Sequence, residues 1–169
     1  MFQLHKGNTR RVLVIGPIAF KFARFSPKVA FNNSRLMGVR EAWGYKYWQL
    51  GGTKNCLFRG IISNWLEFVF YLKHKHPFLI PTYFSLFGLV NIQPAREKAP
   101  ITMNQLWVTL HKMTNGAVEK DDHVFAGRTN FCNDNGKLRM MDYGSRKTQE
   151  VLLEWADKIY SEFQFPQTT

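Results

Sequence analysis

The stretch NDNGKLRMMDYGS, residues 133–145, constrains the fold more than any other part of this 169-residue chain. The Asn-Gly pair inside NDNG favours a tight turn between two strands. KLRMM then has the length and apolar content of a short strand, and it runs directly into Asp142, Tyr143 and Gly144. The stretch therefore predicts a β-hairpin that ends in an acidic residue, an aromatic residue and a glycine.

Asp142 has two interpretations at this position. An ordinary hairpin arm ends in a polar turn, where aspartate is common. Alternatively, a carboxylate at a strand end holds a metal ion on a phosphate group, because hard cations prefer oxygen ligands. The choice between them depends on the residues upstream.

Composition indicates one compact domain, since 45% of the residues are hydrophobic. Cys56 and Cys132 are too few for a disulfide framework, which favours a reducing, cytoplasmic setting. The N-terminal MFQLHKGNTRR lacks the apolar region of a secretory signal. The apolar runs LFRGIISNWLEFVFYL and PFLIPTYFSLFGLVNI carry charges or a proline and are too short to span a bilayer, so no membrane contact is expected.

The net charge of +11 predicts attraction to partners that carry phosphate or carboxylate groups. Nucleotides, acidic protein surfaces and nucleic acid all belong to this class, and the charge does not select among them. Cationic clusters at Arg10-Arg11, at 73–75 and at 145–147 are ordinarily solvated faces. They are also the best candidates for contacts with an acidic partner.

Local patterns predict the order strands, helix, strands, helix, hairpin, helix, which is an α+β domain. FQLH, RRVLVIG and IAFKFARF predict strands, the last two joined by a Gly16-Pro17 turn. RGIISNWLEFVFYLKHK, TMNQLWVTLHKM and TQEVLLEWADKIYSEF have apolar residues at helical spacing. PFLIPTYFSL and GLVNIQ predict further strands, and HVFAGRTNF predicts a loop. Residues 26–56 predict irregular structure with a short helix near LMGVREAWGYKYW.

Four pieces of this order resemble the protein-kinase-like fold: AFK on a strand, Glu67 on the next strong helix, HVFAGRTN, and NDNGKLRMMDYG. In that family a strand lysine in an A-x-K context holds nucleotide phosphates, and a helix glutamate orients it. A loop of the form H-x-D-x-x-x-x-N then precedes a hairpin that ends in Asp-aromatic-Gly. The resemblance implies one truncated two-lobed domain over 1–169. Residues 1–93 would be an antiparallel N-lobe with an insertion at 26–56, and 94–169 a reduced helical C-lobe.

The resemblance assigns the phosphate site to three residues. Lys21 would neutralise phosphate oxygens, with Ala19 beside it in the A-x-K context, and Glu67 would orient Lys21. Glu41 is a rival for the glutamate, closer to Lys21 in the chain, but no strand clearly follows it at the expected distance.

The resemblance also implies a cofactor, ATP with Mg²⁺. Asn130 and Asp142 would hold the metal, which prefers oxygen ligands and keeps its waters. The strand GLVNIQPA, with Asn91 and Gln93, would meet the adenine edge of the nucleotide.

The sequence departs from the family at the catalytic loop. His123 and Asn130 have the family's separation, but Phe125 stands at the aspartate position and cannot accept a proton. Since a positioned acid or base is worth about 10²–10⁴ in rate, ordinary kinase chemistry should be badly impaired. Asp121 and Asp122 in the same loop are the available substitutes, so Asp122 joins Lys21 and Asp142 as a candidate catalytic residue.

Two further departures reduce the expected activity. HKGNT has a single glycine, Gly7, where the family uses several to cover phosphates, and only 25 residues follow Gly144. The chain looks similar to short kinase-like proteins of bacterial effectors, phages and mobile elements, which implies a bacterial or host cytoplasm. The predicted function is ATP and magnesium binding, as a weak phosphotransferase or as a pseudokinase that acts by binding. The alternative is a non-enzymatic interaction protein whose basic surface binds an acidic protein or nucleic acid.

Overall fold

The computed structural model describes residues 2–7, 10–25 and 58–166. The strands are β1 (Phe2–Lys6), β2 (Arg10–Ile15), β3 (Ile18–Ala23), β4 (Phe84–Leu86), β5 (Val90–Pro94), β6 (Phe131–Asp134) and β7 (Lys137–Met140). The helices are α1 (Arg59–His74), α2 (Met103–Met113), α3 (Asp122–Phe125) and α4 (Arg146–Glu162), with 3₁₀ turns at Ala117–Asp121 and Arg128–Asn130. The predicted α+β class is confirmed. The predicted helix near LMGVREAWGYKYW, the rest of the insertion and Glu41 lie outside the described residues.

Strands β1 to β5 form one antiparallel sheet in the order β1-β2-β3-β5-β4. The predicted turn at Gly16-Pro17 joins β2 to β3, and Gly16 has φ +56°, which glycine adopts without strain. In the register, Lys21 pairs with Val12 on one side and Asn91 on the other. Because side chains alternate along a strand, one face of the sheet carries a set of polar residues. This inner face includes Arg10, Lys21, Ser85, Asn91 and Gln93, all of them buried.

Helix α1 covers the inner face and turns a polar side toward it. Ser63, Asn64 and Glu67 are buried. The apolar spacing predicted the helix correctly, yet Trp65, Val69 and Leu72 on the same helix are 38%, 42% and 49% exposed. The outer face of the sheet is correspondingly apolar, and several of its side chains are exposed. These are Leu4, Ile15, Ile18, Phe22, Phe84 and Leu86.

The remainder of the described chain packs around an apolar core formed by the β6-β7 hairpin, α2 and α4. Buried side chains of this core include Phe78, Leu79, Leu106, Leu110, Phe125, Phe131, Leu138, Met140, Val151, Leu152 and Ile159. The predicted hairpin turn is confirmed, since Asn135 and Gly136 have φ of 54° and 80°, as a two-residue hairpin turn requires. Helix α2 begins with a capping box in which Thr102 and Gln105 exchange hydrogen bonds.

Two segments differ from their predictions. HVFAGRTNF is not a plain loop, because it contains α3 and a 3₁₀ turn whose apolar residue Phe125 enters the core. PFLIPTYFSL forms a strand only over Phe84–Leu86. Of its earlier residues, Phe78, Leu79, Ile80 and Thr82 are buried, and Leu79 makes a single bridge to Met140. Among the helices that the structure describes, none combines the length and apolar character needed to cross a membrane.

Candidate functional site

Four charged side chains meet where the inner face of the sheet, α1 and the end of β7 come together. We call Arg10, Lys21, Glu67 and Asp142 the charge cluster. Arg10 forms an ion pair with Asp142, which lies 132 positions away in the sequence. Lys21 Nζ donates to the backbone carbonyl of Met141 at 2.5 Å, directly before Asp142. The structure therefore brings the early lysine and the late aspartate of the sequence analysis to one place.

Glu67 is the centre of the cluster and is completely buried. Its Oε1 accepts hydrogen bonds from Lys21 Nζ at 3.0 Å, Gln93 Nε2 at 2.8 Å and Asn91 Nδ2 at 3.3 Å. Its Oε2 accepts from Arg10 Nη1 at 3.0 Å and from Lys21 Nζ at 3.2 Å. A buried carboxylate is tolerated only when it is paired and its lone pairs are satisfied, and this one meets both conditions.

Asn64 fixes the position of α1 on the sheet, one helical turn before Glu67. Its Nδ2 donates to the backbone carbonyls of Lys21 and Gly88, both at 3.0 Å, and its Oδ1 accepts from Arg10 at 3.3 Å. Residues three apart lie on the same side of a helix, so Asn64 and Glu67 face the sheet together. The polar side of α1 is thus buried because the strands supply its partners.

Asp142 is the most exposed member of the charge cluster, with its side chain 32% exposed. Burial by itself would raise the pKa of this carboxyl, but the charges of Arg10 and Lys21 and hydrogen bonds from Arg10 and the Gly144 amide lower it. The pKa of Lys21 is lowered, chiefly by burial, which Glu67 offsets only in part. For Arg10 the effect of burial is outweighed by the carboxylates of Asp142 and Glu67, which raise its pKa. Asp142 and Arg10 therefore stay charged at neutral pH.

Arg10 is the member of the charge cluster that the sequence alone did not point to. It was grouped with Arg11 as a surface cluster, whereas the structure buries Arg10 and exposes Arg11. The signal that could have found it is strand alternation. Val12 pairs with Lys21, so Arg10, two residues before Val12, lies on the same face as that lysine.

Gly144 lets the segment after β7 approach α1 closely. A Cβ on Gly144 would lie 2.3 Å from the backbone carbonyl oxygen of Ser63, closer than real contacts. Tyr143 is completely buried beside it, and its hydroxyl donates to the carbonyl of Ile80 at 2.7 Å and bonds the Thr82 hydroxyl at 3.0 Å. The hydrogen bonds of Tyr143 and the close approach of Gly144 to α1 fix the Asp-Tyr-Gly triplet, which positions Asp142 at the cluster.

The other predicted cofactor residues lie around the same cluster. Ala19 is buried on β3 two residues before Lys21, on the same face. Asn91 and Gln93 direct their side chains to Glu67, and their contact with a nucleotide base stays a prediction. The Asn91 Oδ1 atom is buried and has no hydrogen-bond partner in the described part of the chain.

The predicted metal ligand Asn130 lies beside the triplet through its backbone. Its carbonyl accepts from the amide of Met141 at 2.7 Å, while its side-chain Nδ2 donates to the Val124 carbonyl at 2.9 Å. The side-chain amide of Asn130 lies close to Gly127, where a Cβ would be 2.6 Å from its Nδ2 atom. The side chain of Asn130 thus has a structural role in the loop.

Phe125 and the two loop aspartates have separate environments. Phe125 is completely buried, with its ring 6.3 Å from that of Phe131. The exposed Asp122 accepts from the His123 amide at 2.6 Å, and Asp121 accepts from the Thr148 hydroxyl at 2.7 Å. No described hydrogen bond or ion pair links either aspartate to the charge cluster. Catalysis by Asp122 remains a prediction.

The donor set does not fit a resident Mg²⁺ while Arg10 is in this position. Mg²⁺ demands oxygen ligands in a near-octahedral arrangement, and one Asp142 oxygen is already paired with the guanidinium. Two unit charges 4 Å apart interact by about 4 kcal/mol near a protein surface, and a divalent ion beside Arg10 would double that repulsion. Over residues 2–7, 10–25 and 58–166, no group of three or more His, Cys, Asp or Glu side chains is placed to hold a metal.

The cluster holds two buried cations and two carboxylates, of which Asp142 is partly exposed. Phe125, at the position where the resemblance expects a proton acceptor, belongs to the apolar core. Two surface cavities of about 210 Å³ and 370 Å³ are lined by other residues. Comparison of the chain with models of protein families, with curated proteins and with solved structures gives no match.

Proposed function

We propose that this chain is a reduced kinase-like domain that binds a nucleotide at the charge cluster and acts by binding, as a pseudokinase. The observation that carries the proposal is the buried Lys21–Glu67 ion pair at 3.0 Å, with Asp142 beside it. A strand lysine, a helix glutamate and an aspartate after a hairpin are the three groups that a kinase-like site needs for phosphate positioning. Their meeting in space, from positions far apart in sequence, is more specific than any one of the motifs.

Binding is favoured over efficient phosphoryl transfer because of Phe125. Its side chain is apolar and fully buried, so the position cannot orient or deprotonate an acceptor hydroxyl. A weak phosphotransferase remains the enzymatic form of the proposal, with Asp122 as its only named base. Slow ATP turnover that Asp122→Asn abolishes, while ATP binding is unchanged, would identify that form.

Thermal unfolding of the full chain with ATP tests nucleotide binding. ATP at about 100 times its Kd should stabilise the folded state by about 2.7 kcal/mol. For a chain of this size that corresponds to a rise in Tm of roughly 5–10 °C. Lys21→Met should abolish the rise because it removes the cation that contacts phosphate.

The matched control is Lys6→Met, which removes an exposed lysine from β1 and should leave the rise intact. Each variant is compared with its own ligand-free Tm, because Lys21→Met also leaves Glu67 with one cation fewer. If ATP does not stabilise the parent chain at any accessible concentration, the proposal fails.

A second candidate is an interaction protein for an acidic partner, and the charge distribution favours it. The charge cluster has two positive and two negative groups and sums to zero, so the rest of the chain carries the whole net charge of +11. An acidic protein retained equally by the parent and by Asp142→Asn would support this function. Loss of retention in Asp142→Asn would assign the partner to the cluster instead.

A further inference from the structure

We propose that Arg10 takes the place of a divalent cation, so that the charge cluster binds the phosphates of a nucleotide without a metal ion. This inference rests on the proposed function and names the form of ligand that the site accepts. It concerns a residue to which the resemblance gives no role.

The position of Arg10 carries the first part of the argument. Its guanidinium contacts the carboxylate of Asp142, the oxygen ligand that the resemblance assigns to the metal. Arg10 Nη1 also donates hydrogen bonds to Glu67 Oε2 at 3.0 Å and to Asn64 Oδ1 at 3.3 Å. A cation held by three side chains is pre-organised, and little ordering cost remains when a ligand binds.

The spacing of the two cations carries the second part. Arg10 Nη1 and Lys21 Nζ lie 3.0 Å and 3.2 Å from the same Glu67 oxygen, so the two positive groups are neighbours at a fixed separation. Guanidinium groups bind phosphate oxygens through paired, charge-assisted hydrogen bonds. Glu67 and Asp142 balance these two cations in the ligand-free chain. A phosphate oxygen that replaces the partly exposed Asp142 carboxylate on Arg10 would therefore give the phosphate the cationic contact that a metal provides.

The electrostatics explain why Arg10 and a divalent metal ion exclude each other at Asp142. The Asp142 carboxylate is partly exposed and already forms an ion pair with the Arg10 guanidinium. A divalent ion added there would compete with Arg10 for the same oxygen and would be repelled by it. Removal of the guanidinium should therefore create metal affinity that the parent chain lacks.

The first experiment measures ATP binding to the full chain by calorimetry, in EDTA and in excess MgCl₂. We expect dissociation constants that agree within about twofold, because the fixed cations do not require the metal. Arg10→Gln should weaken binding in EDTA by about tenfold or more, since a charge-assisted contact to phosphate is lost. The control Arg11→Gln removes the exposed neighbour and should change neither value.

The second experiment uses Mn²⁺ alone, with no nucleotide, and reads binding by electron paramagnetic resonance. The parent chain should not bind Mn²⁺ at the cluster, whereas Arg10→Gln should bind it, and Arg10→Gln combined with Asp142→Asn should lose it again. Circular dichroism checks that each variant folds. If Arg10→Gln does not fold, Arg10→Lys, which keeps the charge, must retain metal-independent ATP binding.

The outcomes separate this inference from the proposed function. ATP binding to the parent chain that requires Mg²⁺ overturns the inference and leaves nucleotide binding in place. Mn²⁺ binding to the parent that Asp142→Asn removes also overturns it, as does a folded Arg10→Gln variant that gains no metal affinity. Absence of ATP binding in both EDTA and MgCl₂ overturns the function and the inference together.

Discussion

Phe125 stands where the kinase-like resemblance expects an aspartate, and its ring is completely buried against the core that also holds Phe131. An apolar side chain that fills the core stabilises the fold, whereas a carboxylate at the same place would have to be desolvated.

The substitution Phe125→Asp should therefore unfold the chain and should not create a catalytic site. Loss of the ring costs about 3–5 kcal/mol, and the buried carboxyl adds a further penalty. The milder Phe125→Leu should lower the free energy of unfolding by less than half as much. Urea denaturation followed by circular dichroism measures both, and a folded Phe125→Asp variant with kinase activity would contradict this assignment.

Asp142 should make the chain sensitive to acid. Its folded-state pKa lies below the ordinary value of about 3.9. The ionised carboxylate therefore favours the folded state at all pH values above that value, and the contribution is lost as pH falls through the lowered folded-state pKa. Urea denaturation between pH 6 and the lowest pH at which the chain folds gives the free energy of unfolding at each pH. At pH 6 this free energy should be lower for Asp142→Asn than for the parent, and it should fall less steeply for Asp142→Asn as the pH is lowered. Parallel curves for the two chains would mean that Asp142 is not ion-paired in solution.

At the level of secondary structure, the elements with strong local signals were predictable. The Asn135-Gly136 turn and the apolar spacing of α4 each specify their conformation within a few residues. The strands around Gly16-Pro17 follow from the same kind of local evidence. These signals predicted the α+β order, with Lys21 on a strand, Glu67 on a helix and Asp142 directly after the hairpin.

The buried side of α1 was less predictable, because it depends on partners from distant strands. Apolar periodicity counts hydrophobic residues, while this helix buries Asn64 and Glu67 and exposes Trp65. Burial of those polar groups is favourable only once Arg10 and Lys21 are in position. No short window of sequence contains both the acceptors and the donors, so local analysis cannot recover the contact.

The contact between α1 and the segment after β7 depends on Gly144. A methyl group there would lie 2.3 Å from the Ser63 carbonyl oxygen, so Gly144→Ala should push the Asp-Tyr-Gly triplet away from the helix. We expect a loss of about 1–3 kcal/mol in the free energy of unfolding, the usual cost of overpacking. The control is Ser145→Ala, because Ser145 makes no side-chain capping bond to α4 and its replacement should change stability by less than about 0.5 kcal/mol. Equal stability of Gly144→Ala and the parent in urea would rule out this close approach.

For the molecule as a whole, the two neighbouring arginines divide the positive charge between interior and surface. Arg10 is buried and neutralised by two carboxylates, while Arg11 is exposed on the outer face of the sheet. The formal count of +11 treats these residues alike, but only the exposed one contributes fully to the external field.

Retention on an immobilised polyanion such as heparin should reveal this division. Arg11→Gln should elute at lower salt than the parent, since it removes one cation from the external field. Arg10→Gln should elute close to the parent, provided that it stays folded, and should instead lower the midpoint of urea denaturation. An elution shift for Arg10→Gln as large as that for Arg11→Gln would contradict this division of charge and would show that Arg10 contributes to the external field as fully as Arg11.

The distance in sequence between Arg10 and Asp142, 132 positions, has a consequence for how the chain acquires its structure on the ribosome. The first three strands leave the exit tunnel well before the segment that carries Asp142 has been translated, at typical rates of about 5–20 residues per second. During that interval Arg10 and Lys21 have no late carboxylate to meet, and the N-terminal sheet lacks one of its two counter-charges. The nascent sheet therefore gains this contact only after residue 142 has been translated, so the cluster completes later than the strands that carry its two cations.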